Sequence, residues 1–122
     1  MEQKPYILVI EDNLDIAEIY AEILEFQGMW VEVILDGAVA LQHLETAVPD
    51  VVLLDMHLPN ISGMELLAFI RSQPHLKQSK VAVITGNPSM AEAARGIADV
   101  TFVKPASSTQ VCMIVKKLLP RS

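Results

Sequence analysis

Four stretches of the chain are apolar at nearly every position: Ile7-Leu8-Val9-Ile10, Val51-Val52-Leu53-Leu54, Val81-Ala82-Val83-Ile84 and Val100-Thr101-Phe102-Val103. A strand with one wet face alternates apolar and polar residues, whereas a strand covered on both faces has no polar side to show. These runs therefore predict buried strands. A fifth strand is predicted over Trp30 to Leu35, where Val31, Val33 and Ile34 supply the apolar positions. Between the strands the period changes. Ile16, Ile19, Tyr20 and Ile23 recur at helical spacing within Asn13 to Gln27, and Gly28 fits the position just past a helix end. Asp36-Gly37 makes a turn into a helix with Ala38, Leu41 and Leu44 on one face. Leu66, Leu67 and Ile70 mark a third helix, after Gly63 and ending near Pro74. Asn87-Pro88-Ser89 starts a short fourth helix running to about Gly96. Ser107-Ser108 caps the last helix, with Val111, Ile114, Val115 and Leu118 as its buried stripe.

Five strands alternating with five helices imply right-handed crossovers and an α/β fold, a parallel sheet with helices on both faces. Ligands bind such a sheet at the carboxyl edge of its strands. What each strand delivers to that edge is therefore the functional question. The first strand ends in Glu11-Asp12, the third in Asp55, the fourth in Thr85 and the fifth in Lys104-Pro105. Acids, a hydroxyl and an amine at one edge suit a divalent metal and a phosphoryl group. Taken singly, each has a plainer reading: an exposed loop acid, a helix cap at Asp12 or Asn13, a strand-end threonine, a solvated lysine. Their joint placement at successive strand ends favours a site.

With those residues in place, the chain resembles the receiver domain of two-component response regulators over essentially its whole length. The resemblance rests on Glu11-Asp12, on Asp36-Gly37 with Ala40-Leu41, on Asp55-x-x-Leu58-Pro59-x-x-x-Gly63, on Thr85-Gly86 and on Lys104-Pro105. It implies a flavodoxin-like sandwich of three layers, with a five-stranded parallel sheet. The strand order 2-1-3-4-5 is borrowed from known doubly wound folds of this kind and would bring Glu11, Asp12 and Asp55 together at the switch point. The resemblance further implies that Asp55 accepts a phosphoryl group from a histidine kinase or a histidine phosphotransfer protein. Mg2+ would be held by Asp12 and Asp55, by Glu11 through water and by the backbone carbonyl of His57. Lys104 would supply a fixed positive charge, Thr85 a hydrogen bond to the phosphoryl group, and Pro105 a cis peptide bond. The switching surface, facing a downstream protein, would be the fourth helix, fifth strand and fifth helix.

The chain departs from the family pattern at Thr101. Three residues before the lysine, receivers usually carry a tyrosine or phenylalanine that turns inward on activation. Phe102 points to the opposite face of its strand and does not replace it. Ala106 stands where a bulkier apolar residue is common. His57 and Asn87 flank the expected approach of hydrolytic water. The side chain of His57 is expected to face solvent, since no second histidine or cysteine lies at ligand spacing.

Composition narrows the alternatives. The chain has 122 residues, 52% of them hydrophobic, which is one domain's worth and excludes disorder. Its net charge of −6 argues against a direct nucleic-acid surface. No apolar run approaches the ~20 residues that cross a bilayer, and Met1-Glu2-Gln3-Lys4-Pro5 carries no signal-peptide pattern. A single cysteine, Cys112, suits a reducing cytoplasm. The expectation is a receiver spanning 1–122 with no output domain, ending at Leu119-Pro120-Arg121-Ser122, and acting as a signalling switch rather than a metabolic enzyme. A haloacid-dehalogenase-type phosphatase would need an acid two residues after Asp55, where His57 stands. A receiver-like interaction module with little phosphate turnover is kept open by Thr101. A nucleotide-binding domain lacks both glycine-rich phosphate motifs.

Overall fold

The computed structural model describes residues 3–120, so the leader reading at Met1-Glu2 and the chain end at Arg121-Ser122 lie outside the described residues. The strands are β1 (Tyr6–Ile10), β2 (Trp30–Ile34), β3 (Val51–Asp55), β4 (Lys80–Thr85) and β5 (Val100–Val103). The helices are α1 (Leu14–Phe26), α2 (Gly37–Leu44), α3 (Gly63–Ser72), α4 (Pro88–Ala94) and α5 (Ser108–Leu118). All strand pairs are parallel and the order is β2-β1-β3-β4-β5, as expected.

Successive residues of a strand point to opposite faces, and the core divides accordingly. Leu8, Ile10, Val52, Leu54, Val81 and Val83 face one layer with Leu44 of α2, Leu66, Leu67 and Ile70 of α3, and Ala94 of α4. Ile7, Val9, Val51, Leu53, Ala82 and Ile84 face the other, with Ala17, Tyr20 and Leu24 of α1 and Val111 and Val115 of α5. Every second residue of one apolar run therefore serves a different core, and that is why the runs are uninterrupted.

Capping residues set the helix starts. Asn13 accepts the Ile16 N–H at 3.1 Å to open α1, and Gly28, with φ of 88°, follows its end. Ser62 with Glu65 and Ser107 with Gln110 form reciprocal capping boxes on α3 and α5. Asp36 caps α2 by accepting from Ala38 and Val39. Helix α4 stops at Ala94, short of the expected Gly96, because Arg95 is already extended.

The buried arc of α1 is rotated from the sequence expectation. Ala17, Tyr20, Ala21 and Leu24 are buried, whereas Ile16 and Ile23 are partly covered and Ile19 is 53% exposed. In α5, Val111 and Val115 are buried as expected with Cys112, while Ile114 and Leu118 pack at the margin. His43 is not a plain surface residue: its Nε2 lies 2.9 Å from the Tyr6 hydroxyl and 2.9 Å from Glu32. Tyr6 in turn stacks on Trp30 with ring centroids 4.5 Å apart.

Two glycines are required by close approach. A Cβ on Gly63 would lie 2.5 Å from the Met56 Cα and 2.6 Å from the Asp55 carbonyl oxygen. On Gly37 it would lie 1.9 Å from the Ile61 carbonyl oxygen. Helices α2 and α3 thus both close onto the loop that follows Asp55. This gives the Asp36-Gly37 and Gly63 positions a packing reason.

Candidate functional site

The first strand's exit places Glu11 and Asp12 beside the exit of β3, because β1 and β3 are neighbours in register from Ile7–Val51 to Ile10–Leu54. Carboxylate oxygens of Glu11, Asp12 and Asp55 lie within 4.8 Å of one another. Glu11 and Asp55 are buried, at 3% and 5% exposure, and Asp12 is open to solvent. Two acids of this cluster are thus held rigidly by the sheet, and the third faces water.

Like charges at this spacing repel unless a cation balances them. In the structure Lys104 does so. Its Nζ is 2.8 Å from Glu11 Oε1 and 3.5 Å from Asp55 Oδ2. Burial works against the lysine charge, but the hydrogen bond to Glu11 and the charges of Asp55 and Glu11 outweigh it and hold the ammonium above its ordinary range. The second oxygen of Glu11 accepts the Asn13 N–H at 3.1 Å. Asp55 Oδ1 accepts the His57 N–H at 3.2 Å. Asp55 is therefore less tightly satisfied than Glu11, with one long backbone bond and one loose ion pair.

Thr85 ends β4 and is buried, its hydroxyl accepting the Asn87 N–H at 3.2 Å. Its carbonyl accepts the Lys104 N–H at 2.7 Å, which ties the start of the Lys104-Pro105 turn to the strand beside it. The Lys104-Pro105 peptide bond is cis. The His57 side chain is exposed, in line with the expectation that the ring faces solvent. Thr101 is half-buried opposite Val83, on the α3–α4 side of the sheet, while Phe102 packs in the α1–α5 layer. Phe102 therefore lies on the wrong face to replace an aromatic at position 101.

Hard oxygen donors from three carboxylates suit a hard divalent cation such as Mg2+, which needs only one or two carboxylates besides waters and a phosphate. Glu11, Asp12 and Asp55 fit such an ion by donor type and spacing. Tyr20 was legible in the sequence only as a helix-face residue, yet it also belongs to this neighbourhood. Burial pushes its phenol up, Lys104 opposes this, and Glu11 and Asp55 add to it, so all three charged groups are felt at the ring. A helical apolar stripe carries no signal that one member ends beside an ion-pair cluster. Among the described residues, no helix is long and apolar enough to cross a membrane.

Known proteins share both the sequence pattern and the architecture. The model of the response regulator receiver domain matches residues 7–116. The phosphate regulon transcriptional regulatory protein PhoB of Rhizobium meliloti is 33% identical over 121 residues, 97% of this chain and 53% of its own length. The chain thus spans about half the length of that relative. The response regulator TrrA of Thermotoga maritima, solved in complex with Mg(2+)-BeF, superposes with a TM-score of 0.84 at 30% identity, covering 94% of this chain and 99% of that one. The chemotaxis response regulator CheY4 of Vibrio cholerae shares the fold, with a TM-score of 0.87 at 23% identity over 96% of this chain and all of that one. With the family pattern matched from β1 into α5, the chain belongs to the response regulator receiver domains.

Proposed function

We propose that this receiver accepts a phosphoryl group on Asp55 from a phosphorylated histidine, of a histidine kinase or a histidine phosphotransfer protein, and relays its state to a downstream protein. The observation that carries this is the gathering of the Glu11, Asp12 and Asp55 carboxylates within 4.8 Å with the Lys104 ammonium 3.5 Å from Asp55. Phosphoryl transfer asks little covalent chemistry of a protein and is governed by positioning and charge neutralisation. An Asp55 carboxylate oxygen forms the new P–O bond as the donor's P–N bond breaks. The electron pair of the broken bond returns to the imidazole nitrogen. Asp55 is suited to this because it sits on a rigid strand end and is held by only one long N–H contact and one loose ion pair.

Mg2+, held by Asp12, Asp55 and the His57 carbonyl with Glu11 through water, would supply the positive charge that offsets repulsion between the carboxylate and the phosphoryl oxygens. Lys104 neutralises the phosphoryl group from the side of β5. Thr85 turns its hydroxyl from an acceptor for Asn87 to a donor for a phosphoryl oxygen. The response is expected to run through α4, β5 and α5, in a domain spanning 1–122. Histidine kinases act in the cytoplasm, where this reading places the domain. Thr101 supports a second reading, an interaction module with little phosphate turnover, because the usual aromatic is missing from a half-buried position.

Intact-mass measurement after incubation with a small acyl phosphate and Mg2+ separates the two. One added phosphoryl group in the wild type and none in Asp55→Asn is the expected result. Equal labelling of both proteins sinks the assignment of Asp55, and no labelling of either favours the interaction module.

A further inference from the structure

The phosphoryl-transfer scheme leaves one neighbour of the site without a task. Tyr20 projects from the middle of α1 and is only 6% exposed. Its ring belongs to the apolar layer with Val9, Leu53 and Ile84, and together with Glu11 and Asp55 it lines a small cavity of about 10 Å³. Its hydroxyl donates to the Ala106 carbonyl at a long 3.4 Å, across 86 residues of sequence. Tyr20 also helps to line an open groove with Lys104, Pro105 and Ala106.

Phenylalanine or leucine would fill the apolar layer as well, so packing alone gives no reason for the hydroxyl. Buried tyrosines generally satisfy that group with a partner, and here the partner is the backbone just beyond Lys104. Lys104 needs such support. Strand β5 ends at Val103, and residues 104–107 lie in neither helix nor strand. The lysine's backbone is tied to Thr85, and its ammonium is held mainly by Glu11 at 2.8 Å. Any role of Glu11 toward a cation weakens that hold. What then keeps the lysine aimed at Asp55 is the attraction of Asp55 itself, 3.5 Å away, together with the Lys104–Ala106 turn.

We infer that Tyr20 is a positioning residue for phosphoryl transfer: its hydroxyl holds the Ala106 carbonyl and its ring walls the Lys104 stem, keeping the ammonium directed at Asp55. The inference rests on phosphoryl acceptance at Asp55, and Tyr20 acts through Lys104 without touching the phosphoryl group.

Tyr20→Phe tests it, because the ring stays in the core and only the hydroxyl is lost. Phosphorylation by a small acyl phosphate with Mg2+ is expected to slow about three- to tenfold, the range set by one modest hydrogen bond. In a Lys104→Ala background the same substitution is expected to change the rate less than about twofold, since residues acting as a unit are not additive. In the unphosphorylated protein the Ala106 carbonyl 13C signal should move upfield, and the Lys104 side-chain signals should shift while those of other lysines stay. A wild-type rate in Tyr20→Phe overturns the inference, and so does the same slowing with and without Lys104. A wild type that takes up no phosphoryl group sinks the proposed function instead. The Ala106 and Lys104 signals then decide by themselves whether Tyr20 holds the turn, and unchanged signals would reject it.

Discussion

The two edges of the sheet both collect charged side chains, and they treat them differently. At the amino edge, Asp99 accepts the Val81 N–H at 2.7 Å and Arg71 Nη2 at 2.7 Å. Arg71 also donates to the Ile97 carbonyl at 2.8 Å and the Ser79 carbonyl at 3.3 Å, and Asp50 accepts the Tyr6 N–H at 2.7 Å. Arg71, Asp99 and Asp50 are thus spent on backbone groups near the strand starts and, for Arg71 and Asp99, on each other. At the carboxyl edge, Asp12 faces water and Asp55 has a single 3.2 Å backbone donor and a lysine at 3.5 Å. The first arrangement holds loops together. The second keeps acceptor capacity free for something that arrives. Charge clusters of similar composition can thus be told apart by how much of their hydrogen-bonding capacity the fold has already used.

The largest expected effect belongs to the carboxyl edge. Lys104→Ala should slow phosphorylation of Asp55 by roughly 10²- to 10³-fold, the loss typical for removing one preorganised donor from a site of developing charge. The fold should be retained at some cost in stability, because Glu11 and Asp55 stay buried without the cation that balances them. Phosphorylation kinetics followed by intact mass would measure it, and a rate within tenfold of wild type would mean that the lysine serves the acid pair rather than the transfer.

Gly63→Ala is expected to join the two properties that the edges otherwise separate. Its Cβ would press on the Met56 Cα and the Asp55 carbonyl oxygen, both backbone atoms. Overpacking of this kind costs about 1–3 kcal/mol. Urea unfolding should show that loss and phosphorylation should slow as well, since the backbone of the proposed phosphoacceptor is displaced. Loss of stability with full phosphorylation would place the strain away from Asp55.

Asp99→Asn should touch stability alone. Burial would raise the Asp99 carboxyl, but the Val81 N–H and the bond and charge of Arg71 together hold it below the ordinary aspartate range. A depressed value means that the stabilisation is present above the unfolded value and is lost as pH falls through the folded one. Partial exposure screens the pair, so the effect at neutral pH is about 1 kcal/mol. Unfolding of wild type and variant should therefore differ near pH 7 and converge in strong acid. A variant with slowed phosphorylation would break the division between the edges.

The smallest effect is expected at Thr101. With no aromatic there, phosphorylation should still recruit Thr85, but less of the change should reach α4 and β5, because a ligand shifts an equilibrium only by its differential affinity for two states. Amide shifts with and without a phosphoryl mimic, compared for wild type and Thr101→Tyr, read this out. A full response in the wild type that Thr101→Tyr leaves unaltered would show the aromatic to be dispensable.

The amino-acid order by itself determined that the strands are covered on both faces, because Ile7–Ile10, Val51–Leu54 and Val81–Ile84 have no polar face to turn outward. It also placed Glu11, Asp12, Asp55, Thr85 and Lys104 at strand ends, since a parallel α/β chain must exit every strand at the same edge. Periodicity is a local property, however, and it could not choose between the adjacent apolar stripes of α1. Contact with the sheet and α5 selected Ala17, Ala21 and Leu24 over Ile19. Nor could it assign partners. The bond from Lys104 to Glu11 spans 93 residues, Tyr20 to Ala106 spans 86, and Arg71 to Asp99 spans 28. Such pairs leave no spacing to read, because they exist only after the crossovers have stacked distant strand ends side by side. Tertiary structure therefore decided which charges are consumed by the fold and which remain open for chemistry.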